Sequence, residues 1–229
     1  PNASGVREYV PGDSFNRIHW PSTARTGRMM VKTFELDPVS DLWVILDLDR
    51  RIHVGRGDES SEEYCVTAAA SVARHFLEIN RNVGLMCFGR SLTMIEPERG
   101  GQQLTRILET LAVARADGDV PLINLLAEEG KRFGRHTTVV VVTPSIEETW
   151  IVGLQSLVQR GVKSAAIIVE PSTFGGRESA MAIYGTLLAN DMVTYMVRRG
   201  DDFNEALTPT AEGALASQRA ARGPEAVSE

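Results

Sequence analysis

The sequence predicts an α/β fold in which a mostly parallel, doubly wound sheet carries helices on both faces and is preceded by an extended N-terminal arm. Residues 41–47, 82–89 and 136–143 are unbroken apolar runs of strand length. Unbroken runs, as opposed to alternating ones, are typical of strands that are covered on both faces. Segments with apolar residues at helical spacing lie between these runs, and strands that alternate with helices indicate a parallel sheet.

In the first half of the domain, the run "DLWVILD" at residues 41–47 predicts the first strand. The motif "SSEE" that follows is a capping box, with Ser60 as N-cap and Glu63 three residues on, and it predicts the start of a helix. "NVGLMCFG" at residues 82–89 predicts the second strand, and "LTMIEP" at residues 92–97 predicts its hairpin partner.

In the second half, helical apolar spacing over residues 104–111 and a proline-initiated segment over residues 121–133 predict two helices. "HTTVVVVT" at residues 136–143 predicts the third buried strand. "SIEE" at residues 145–148 repeats the capping-box pattern and predicts the start of a helix that Gly161 ends. The remaining predicted elements are a strand at residues 163–170, a helix at 178–190 and a strand at 192–199.

These elements divide the chain into three parts. Residues 1–40 are predicted to form the arm and residues 41–205 the α/β domain. Residues 206–229 are mostly small, polar and aperiodic, so we expect a flexible tail there. The sequence shows no internal repeat or low-complexity linker that would indicate a further domain.

Composition and charge restrict the classes of function. Hydrophobic residues make up 43% and charged residues 24% of the chain, as in an ordinary globular domain. The formal net charge of −6 argues against a broad nucleic-acid-binding surface, so no nucleic-acid partner is expected. Cys65 and Cys87 lie in apolar stretches and are predicted to be core thiols in a reduced compartment. No P-loop, dinucleotide fingerprint or cysteine cluster is found in the sequence, so we expect no enzyme.

The end of the first strand is the candidate site. In parallel sheets of this kind, ligands bind outside the carboxyl ends of the strands, where the strand order reverses. "DLDRR" at residues 47–51 places Asp47 and Asp49 there, with Arg50 and Arg51 beside them. Carboxylate oxygens are ligands that Mg²⁺ prefers. The same four residues form a charged rim, which favours electrostatically steered docking of a protein partner.

This strand end and the order of strands and helices resemble the von Willebrand factor A domain, whose metal-ion-dependent adhesion site begins Asp-x-Ser-x-Ser. Asp47 matches the first position, whereas Asp49 and Arg51 stand in place of the two serines. Pro144 stands where the resemblance implies a later aspartate. Asp47 and Asp49 either hold a metal with water or pair with Arg50 or Arg51. Because a guanidinium group cannot coordinate a cation, we expect ion pairs, a degenerate site and no metal cofactor, Mg²⁺ included.

Residues 7–35 carry a long spaced pattern, "REYVPGDSFNRIHWPSTARTGRMMVKTFE". It reads Arg-x-Tyr-x-x-Gly-Asp, then Arg-x-Ile-x-Trp, then a Ser-Ala-Arg interrupted as "STAR", then Val-Lys-x-x-Glu. The residues that fit are Arg7, Tyr9, Gly12, Asp13, Arg17, Ile18, Trp20, Arg25, Gly27, Val31, Lys32 and Glu35. In this pattern, and in its place before an A-domain-like fold, the chain resembles domain-of-unknown-function family 58.

The resemblance implies a cellular setting and no reaction. Proteins of that family are bacterial or archaeal, and often carry membrane helices before this segment. They are commonly encoded beside a MoxR-type AAA+ ATPase, which is therefore the expected partner. We accordingly expect this part of the chain to be a soluble domain at the cytoplasmic face of a membrane-anchored protein.

The charged residues of the arm admit three interpretations. They form an internal network that fastens the arm to the domain, a surface for a partner protein, or a site for phosphate or nucleic acid. The residues concerned are Arg7, Arg17, Arg25, Lys32, Asp13 and Glu35. Charges of both signs favour the internal network. Trp20 precedes Pro21, so we expect it to be extended with a buried ring, and Trp20→Ala to cost about 3–5 kcal/mol.

A hydrolase or ligand-binding enzyme is the alternative from another class, since Asp13, Arg17, His19 and Ser22 lie close together in the sequence. A catalytic triad is defined by geometry, and neighbouring side chains of an extended segment point in opposite directions. We therefore expect no catalytic residue in the arm. The function expected from the sequence is a non-catalytic protein–protein interaction module, and a divalent-metal-dependent adhesion domain is the third hypothesis.

Overall fold

The computed structural model describes residues 5–10, 18–33 and 40–207. Within these ranges, residues 40–199 form one compact unit, and residues 5–10 and 18–33 are grouped with 200–207 in a second. The predicted tail lies outside the described residues from position 208 onward. The boundaries predicted for the arm, the domain and the tail stay predictions.

The described part of the arm contains a two-stranded antiparallel sheet and a short helix. β1 (Gly5–Glu8) pairs with β2 (Met30–Thr33), and α1 (Trp20–Thr26) lies between them in the sequence. His19 caps α1, because its Nδ1 accepts a hydrogen bond from the backbone N–H of Ser22 at 3.2 Å. The arm that was predicted to be extended therefore contains a helix of seven residues.

The expectation that Trp20 is extended and buried is wrong. Trp20 is the first residue of α1, and its side chain is 67% exposed. Proline is tolerated in the first turn of a helix because its missing N–H would have no helical partner there, so Pro21 is compatible with the start of α1. The apolar side chains that the described arm buries are Ile18 and Val31, which also form a β-bridge.

The α/β unit is built on a six-stranded sheet. Its strands are β3 (Asp41–Leu46), β4 (Val83–Phe88), β5 (Leu92–Glu98), β6 (Thr137–Thr143), β7 (Lys163–Val169) and β8 (Val193–Val197). The strand order is β5-β4-β3-β6-β7-β8, and all neighbours are parallel except the β4–β5 hairpin. The fold class predicted from the apolar runs is confirmed.

Helices cover both faces of this sheet. They are α2 (Ser61–Glu78), α3 (Gly101–Ala112), α4 (Leu122–Glu129), α5 (Thr149–Gln159) and α6 (Met181–Ala189), and a further short helix, α7 (Phe203–Ala206), follows in the second unit. Side chains of α4, α5 and α6 share one hydrophobic cluster with β3, β6 and β7. α2 and α3 contact each other and the sheet outside that cluster, so they cover the opposite face.

The central strand shows why its apolar run is unbroken. Trp43 and Ile45 belong to the cluster under α4, α5 and α6. The intervening residues Leu42, Val44 and Leu46 are also buried, and strand geometry directs them to the face that α2 and α3 cover. A strand that is buried on both faces therefore has apolar residues at every position, without alternating polar ones.

The two predicted capping boxes behave differently. Ser60 is the N-cap of α2, and its Oγ accepts from the backbone N–H of Glu63 at 3.3 Å, as predicted. The prediction for Ser145 is wrong, because α5 begins four residues later at Thr149, after an N-cap without a side-chain bond. Ser145 is buried, and its Oγ accepts from the backbone N–H of Glu147 at 3.2 Å. It therefore closes the turn after β6 instead of starting a helix.

None of the helices in the described ranges combines the length and the apolar character that crossing a bilayer requires.

The different burial of two tryptophans gives a test of the structure. Trp150 is 1% exposed in the core cluster, so Trp150→Ala should lower the free energy of unfolding by about 3–5 kcal/mol. Trp20→Ala should lower it by less than about 1 kcal/mol, because its ring is mostly in water. Chemical denaturation at matched m-values measures both changes. A loss at Trp20 as large as the loss at Trp150 would contradict this placement.

Candidate functional site

The candidate site lies where the order of the strands reverses. β3 pairs with β4 on one side and with β6 on the other, so the connections that follow β3 and β6 lead to opposite halves of the sheet. Asp47 directly follows β3, and its backbone N–H donates to Val142 of β6 at 3.0 Å. Thr143 ends β6 beside it. Such a reversal leaves a crevice at the carboxyl ends of the strands, which is the usual ligand position in open α/β sheets.

Asp47 is 3% exposed and is held by two hydrogen bonds. The hydroxyl of Thr143 donates to Oδ2 at 2.7 Å, and the backbone N–H of Asp49 donates to Oδ1 at 3.3 Å. Burial raises the pKa of Asp47 to about 6, although both hydrogen bonds act in the other direction. The nearby charges of Asp49 and Glu147 also raise this pKa. Asp47 is therefore close to half protonated near pH 6.

Asp49 is equally buried but forms an ion pair. The guanidinium of Arg51 approaches both carboxylate oxygens, with Nε 2.9 Å from Oδ1 and 3.2 Å from Oδ2, and its Nη2 also donates to Oδ2. The backbone N–H of Arg51 adds a bond to Oδ1 at 3.1 Å. These contacts hold the pKa of Asp49 below its usual value. The pairing of Asp49 with an arginine, which was one of the two sequence alternatives, is present in the structure.

The predicted rim divides into buried and exposed halves. Asp47 and Asp49 are buried, so the expectation that they present charge to a partner is wrong. Arg50 and Arg51 have exposed side chains, and Arg50 pairs with the exposed carboxylate of Asp119 at 2.7 Å. Charge that a partner can meet at the end of β3 therefore comes from the two arginines and Asp119.

His53 belongs to the site although sequence reasoning gave it no role. Its Nε2 lies 2.9 Å from the carbonyl oxygen of Asp47, which fixes the tautomer with a proton on Nε2. Its Nδ1 can then accept from Ser61 Oγ at 3.3 Å, while Ser61 Oγ accepts from the backbone N–H of Val54 at 2.9 Å. Burial lowers the pKa of His53. A neutral His53 thus links the end of β3 to the first residue of α2.

Gly118 was also missed, and it closes the other side of the site. Its backbone N–H donates to the carbonyl of Leu48 at 3.1 Å, and its carbonyl accepts from Arg50 at 3.0 Å. A Cβ at this position would lie 2.4 Å from the carbonyl oxygen of Phe88, which no side chain can tolerate. The only sequence signal was a glycine between two aspartates, which predicts a turn and not this close approach.

The crevice above Asp47 is very small. Its volume is about 10 Å³, and Asp47, Asp49, Ser145, Glu147 and Trp150 contribute to its lining. That volume corresponds to about one water-sized sphere. The buried Nε1 of Trp150 has no hydrogen-bond partner among the described residues. Within the same ranges, no three His, Cys, Asp or Glu side chains are grouped so that they could hold a metal ion.

A larger groove of about 710 Å³ lies beside α3 and the β4–β5 hairpin. Its lining mixes arginines and acids with apolar residues and includes the buried Cys87. Burial raises the pKa of Cys87 to about 11. Because the thiolate is the reactive form of cysteine, this thiol is poorly suited to act as a nucleophile. Cys65 is also buried, as predicted for both residues.

The arm residues of the family pattern are only partly within the described ranges. Arg7 lies in β1, Tyr9 follows that strand, Arg25 lies in α1 and Lys32 lies in β2. Gly12, Asp13, Arg17 and Glu35 lie outside the described residues. The ion-pair network proposed for the arm is therefore neither confirmed nor excluded. An ion pair that was not predicted joins Arg28 to Glu8 at 3.3 Å.

His19 and Ser22 are brought together, contrary to the expectation that their side chains point apart. His19 Nδ1 lies 2.7 Å from Ser22 Oγ, because the helix α1 places residues three apart on one side. The same Nδ1 accepts from the backbone N–H of Ser22, and Ser22 is buried. A capping role accounts for both contacts. A buried hydroxyl leaves no path for a substrate carbonyl, so the pair does not support the hydrolase alternative.

Comparison with known sequences identifies relatives over most of the chain. A family model described as "Protein of unknown function DUF58" matches residues 5–215. The chain is 30% identical to the uncharacterized protein YeaD of Bacillus subtilis over 147 residues, which are 64% of this chain and 35% of YeaD. It is 25% identical to the uncharacterized protein Rv1480 of Mycobacterium tuberculosis, over 84% of this chain and 61% of Rv1480. The chain thus spans between about a third and three fifths of these relatives.

Solved structures with the same fold support the resemblance to the von Willebrand factor A domain. The conserved hypothetical protein BatB of Bacteroides thetaiotaomicron superposes with a TM-score of 0.51 at 11% identity, over 80% of this chain and 98% of that protein. The pilus adhesin SpaC of Lactobacillus rhamnosus GG gives a TM-score of 0.51 at 10% identity, over 82% of this chain and 31% of SpaC. At these identities the likeness shows a shared fold alone, which is von Willebrand factor A-like.

The raised pKa of Asp47 predicts a specific pH dependence of stability. The folded state holds its proton more tightly than the unfolded state, whose carboxyl has a pKa of about 4. The stabilising contribution is therefore fully present below about pH 4 and is lost as the pH rises through about 6. The difference between a pKa of about 4 in the unfolded state and about 6 in the folded state corresponds to about 3 kcal/mol.

Asp47→Asn removes the titrating carboxyl group. Any effect of the substitution on packing is the same at every pH and does not change the pH dependence. The unfolding free energy of the variant relative to the native chain should therefore rise by up to about 3 kcal/mol between pH 4 and pH 7.5. Denaturant titrations across that range measure the difference. Asp119→Asn, at an exposed carboxylate, is the matched control and should give a flat difference. A flat difference for Asp47→Asn as well would refute the raised pKa.

The ion pair at Asp49 predicts weak metal binding. Isothermal titration with Mg²⁺ or Mn²⁺ should show no stoichiometric site of micromolar affinity. Arg51 occupies both carboxylate oxygens of Asp49, and the side chain of Pro144 has no oxygen that could bind the metal. Arg51→Ser frees that carboxylate and should increase the affinity. A micromolar site in the native chain that Asp47→Ala abolishes would contradict the prediction.

Proposed function

The chain belongs to the DUF58 family of proteins of unknown function, and from this membership and the geometry of the strand ends we propose that it is a non-catalytic protein–protein interaction module. The module docks its partner at the carboxyl edge of the sheet. The partner that we propose is a MoxR-type AAA+ ATPase, or a client that this ATPase remodels. The whole protein is proposed to be membrane-anchored through a part of the chain outside this sequence.

One observation carries the proposal against catalysis. The carboxylates of Asp47 and Asp49 at the reversal point are bonded to other groups of the chain, and the crevice beside them has a volume of about 10 Å³. Substrate pockets are commonly 300 Å³ or more, roughly, and leave catalytic groups open to the ligand. The end of β3 has neither property. Its buried groups suit a structural role, which leaves the surrounding surface for recognition.

That surface is a row of exposed ion pairs, which we call the strand-end rim. Arg90 pairs with Asp117 at 2.9 Å beside the end of β4. Arg50 pairs with Asp119 at 2.7 Å beside the end of β3. The remaining members of the rim are Arg51 and, beyond β8, the pair of Arg199 with Glu59 at 2.6 Å. All three strands are parallel, so these charges lie along one edge of the sheet.

Such pairs favour docking because they are weak. Exposed ion pairs contribute about 0–1 kcal/mol each, so their members can exchange one another for charges on a partner at small cost. Charges of both signs at fixed positions also reject partners whose charge pattern does not match. The rim thus suits a specific and salt-sensitive complex better than a permanent apolar interface.

The partner itself comes from the family resemblance. Proteins with this arm pattern are commonly encoded beside a MoxR-type AAA+ ATPase, and a steered complex is a reasonable way for a regulated ATPase to engage its module. The choice of partner does not depend on the fold. If the ATPase did not bind, the description of the fold would be unaffected.

Charge reversal on the rim tests the proposal. Arg50→Glu combined with Arg90→Glu should slow association with the purified ATPase about tenfold or more at ~0.05 M salt, with little change in dissociation. Surface plasmon resonance measures both rates, and circular dichroism checks the fold. Arg132→Glu is the matched control, because this exposed arginine precedes β6 at the opposite edge of the sheet.

Two results would contradict the proposal. The first is the absence of binding at low salt, with and without nucleotide. The second is a complex that weakens equally in the rim variant and in the Arg132→Glu control, since this would show a general charge effect instead of a defined rim.

A further inference from the structure

The strand β5 lies at one edge of the six-stranded sheet, and its outer side is open. It pairs with β4 on its inner side, and no other strand in the described ranges pairs with it. In an edge strand, the backbone N–H and C=O groups of alternate residues point away from the sheet and have no strand to bond to. The outer side of β5 can therefore accept a strand from another chain.

The features that keep an edge strand from pairing are confined to the second half of β5. Glu96, Pro97 and Glu98 lie there. The register with β4 also shifts between Ile95 and Glu98. Charged residues, prolines and bulges are the usual means of protecting an edge. Residues 91–95, "SLTMI", have none of them, so we call these five residues the open stretch.

The open stretch has opposite charges at its two ends. Arg90 precedes it, and 86% of that side chain is exposed. Asp117 bonds to Nε of Arg90 at 2.9 Å, and both Nη groups of Arg90 have no bond to another described residue. Glu96 follows the open stretch, is exposed, and forms no ion pair within the described ranges. Both charged side chains therefore have groups left with which to bind a partner.

We propose that two copies of this chain dimerise by pairing their open stretches, antiparallel and about a two-fold axis. Two-fold symmetry is the commonest in dimers, and each contact then occurs twice with the roles of the copies exchanged. In such a pair, one residue faces its own counterpart across the axis. Thr93 is that residue, because it is the middle one of the open stretch. The proposal is independent of the function proposed for the strand-end rim and goes beyond it.

This register brings complementary side chains together. Thr93 faces Thr93 of the other copy, a cross-strand pair that joins two hydroxyl groups. Leu92 faces Met94 of the other copy, so that apolar side chains meet on both sides of the axis. Arg90 faces Glu96 of the other copy, and this ion pair also forms twice. The proline and the register shift lie beyond the paired residues.

A second copy fits this edge better than a strand of another protein does. An antiparallel partner needs an acid and a base at the spacing of Arg90 and Glu96, and β5 itself carries that pattern. The neighbouring charges of Glu98 and Arg99 are opposite in sign and lie outside the paired stretch. A stable dimer buries about 800 Å² on each partner, more than one short strand supplies, so we expect a weak dimer.

Sedimentation velocity on the chain alone tests the dimer. We expect the native chain to change from monomer to dimer between ~0.01 and ~0.5 mM, where weak complexes form. Arg90→Glu and Glu96→Arg should each weaken dimerisation about tenfold or more, because each places like charges opposite one another at both ends. The matched controls Arg177→Glu and Glu178→Arg change exposed residues outside β5 and should leave dimerisation unchanged.

Mixing the two variants makes the test specific for the proposed register. One copy with Arg90→Glu and one copy with Glu96→Arg have opposite charges facing each other at both ends. An equimolar mixture should therefore form heterodimers with about the native affinity, and the double variant should recover in the same way. A fluorescent label on one variant reveals the heterodimer, and circular dichroism verifies that each variant is folded.

Three outcomes would overturn the proposal. The first is a native chain that stays monomeric at ~0.5 mM, which would leave the edge to a strand of another protein. The second is a dimer that both single variants leave unchanged. The third is a failure of the two variants to associate when they are mixed. The ATPase is absent from these measurements and Glu96 is not part of the strand-end rim, so this proposal and the proposed function can fail separately.

Discussion

The burial of two carboxylates at the end of the central strand is the constraint on which the site depends. An unpaired charge in such a position is costly, and Asp47 and Asp49 are only two residues apart. The chain resolves the two burials differently. Asp47 stays in an environment that favours its protonated form, with Thr143 and a backbone N–H as its partners. Asp49 keeps its charge because the guanidinium of Arg51 lies against both of its oxygens.

This pairing explains why one arginine changes the character of the strand end. In the pattern that the site resembles, a hydroxyl follows at the position that Arg51 occupies, and the carboxylates remain open to a cation. Here the positive charge beside Asp49 is the guanidinium of Arg51, a residue of the chain itself. Gly118 and His53 then close the two sides of the turn through main-chain hydrogen bonds. What remains between these groups is a crevice of about 10 Å³.

The fold could be predicted from the sequence because its signals are local. An unbroken apolar run specifies a doubly covered strand, and Ser60 with Glu63 specifies a helix start. The same capping pattern failed at Ser145, whose hydroxyl is used by the turn that leads away from β6. The position of Asp47 and the pairing of Asp49 with a nearby arginine were also within reach of the sequence. His53, Gly118 and the exposure of Trp20 were not. The bonds of His53 depend on the path of the loop after β3, those of Gly118 on residues that are distant in the chain, and the exposure of Trp20 on a helix that Pro21 was expected to prevent.

The ion pair between Arg51 and Asp49 also affects which charges at the strand ends are available to a partner. Its side chain is half exposed, so an incoming carboxylate could reach it. Drawing Arg51 away would leave Asp49 charged, buried and without its partner, which is the situation that costs most. Arg50 and Arg90 differ, because their partners Asp119 and Asp117 can return to water when the pairs separate. If the strand-end rim docks a partner as proposed, the outer pairs of Arg50 and Arg90 therefore contribute more to recognition than Arg51, which stays with the buried carboxylate of Asp49.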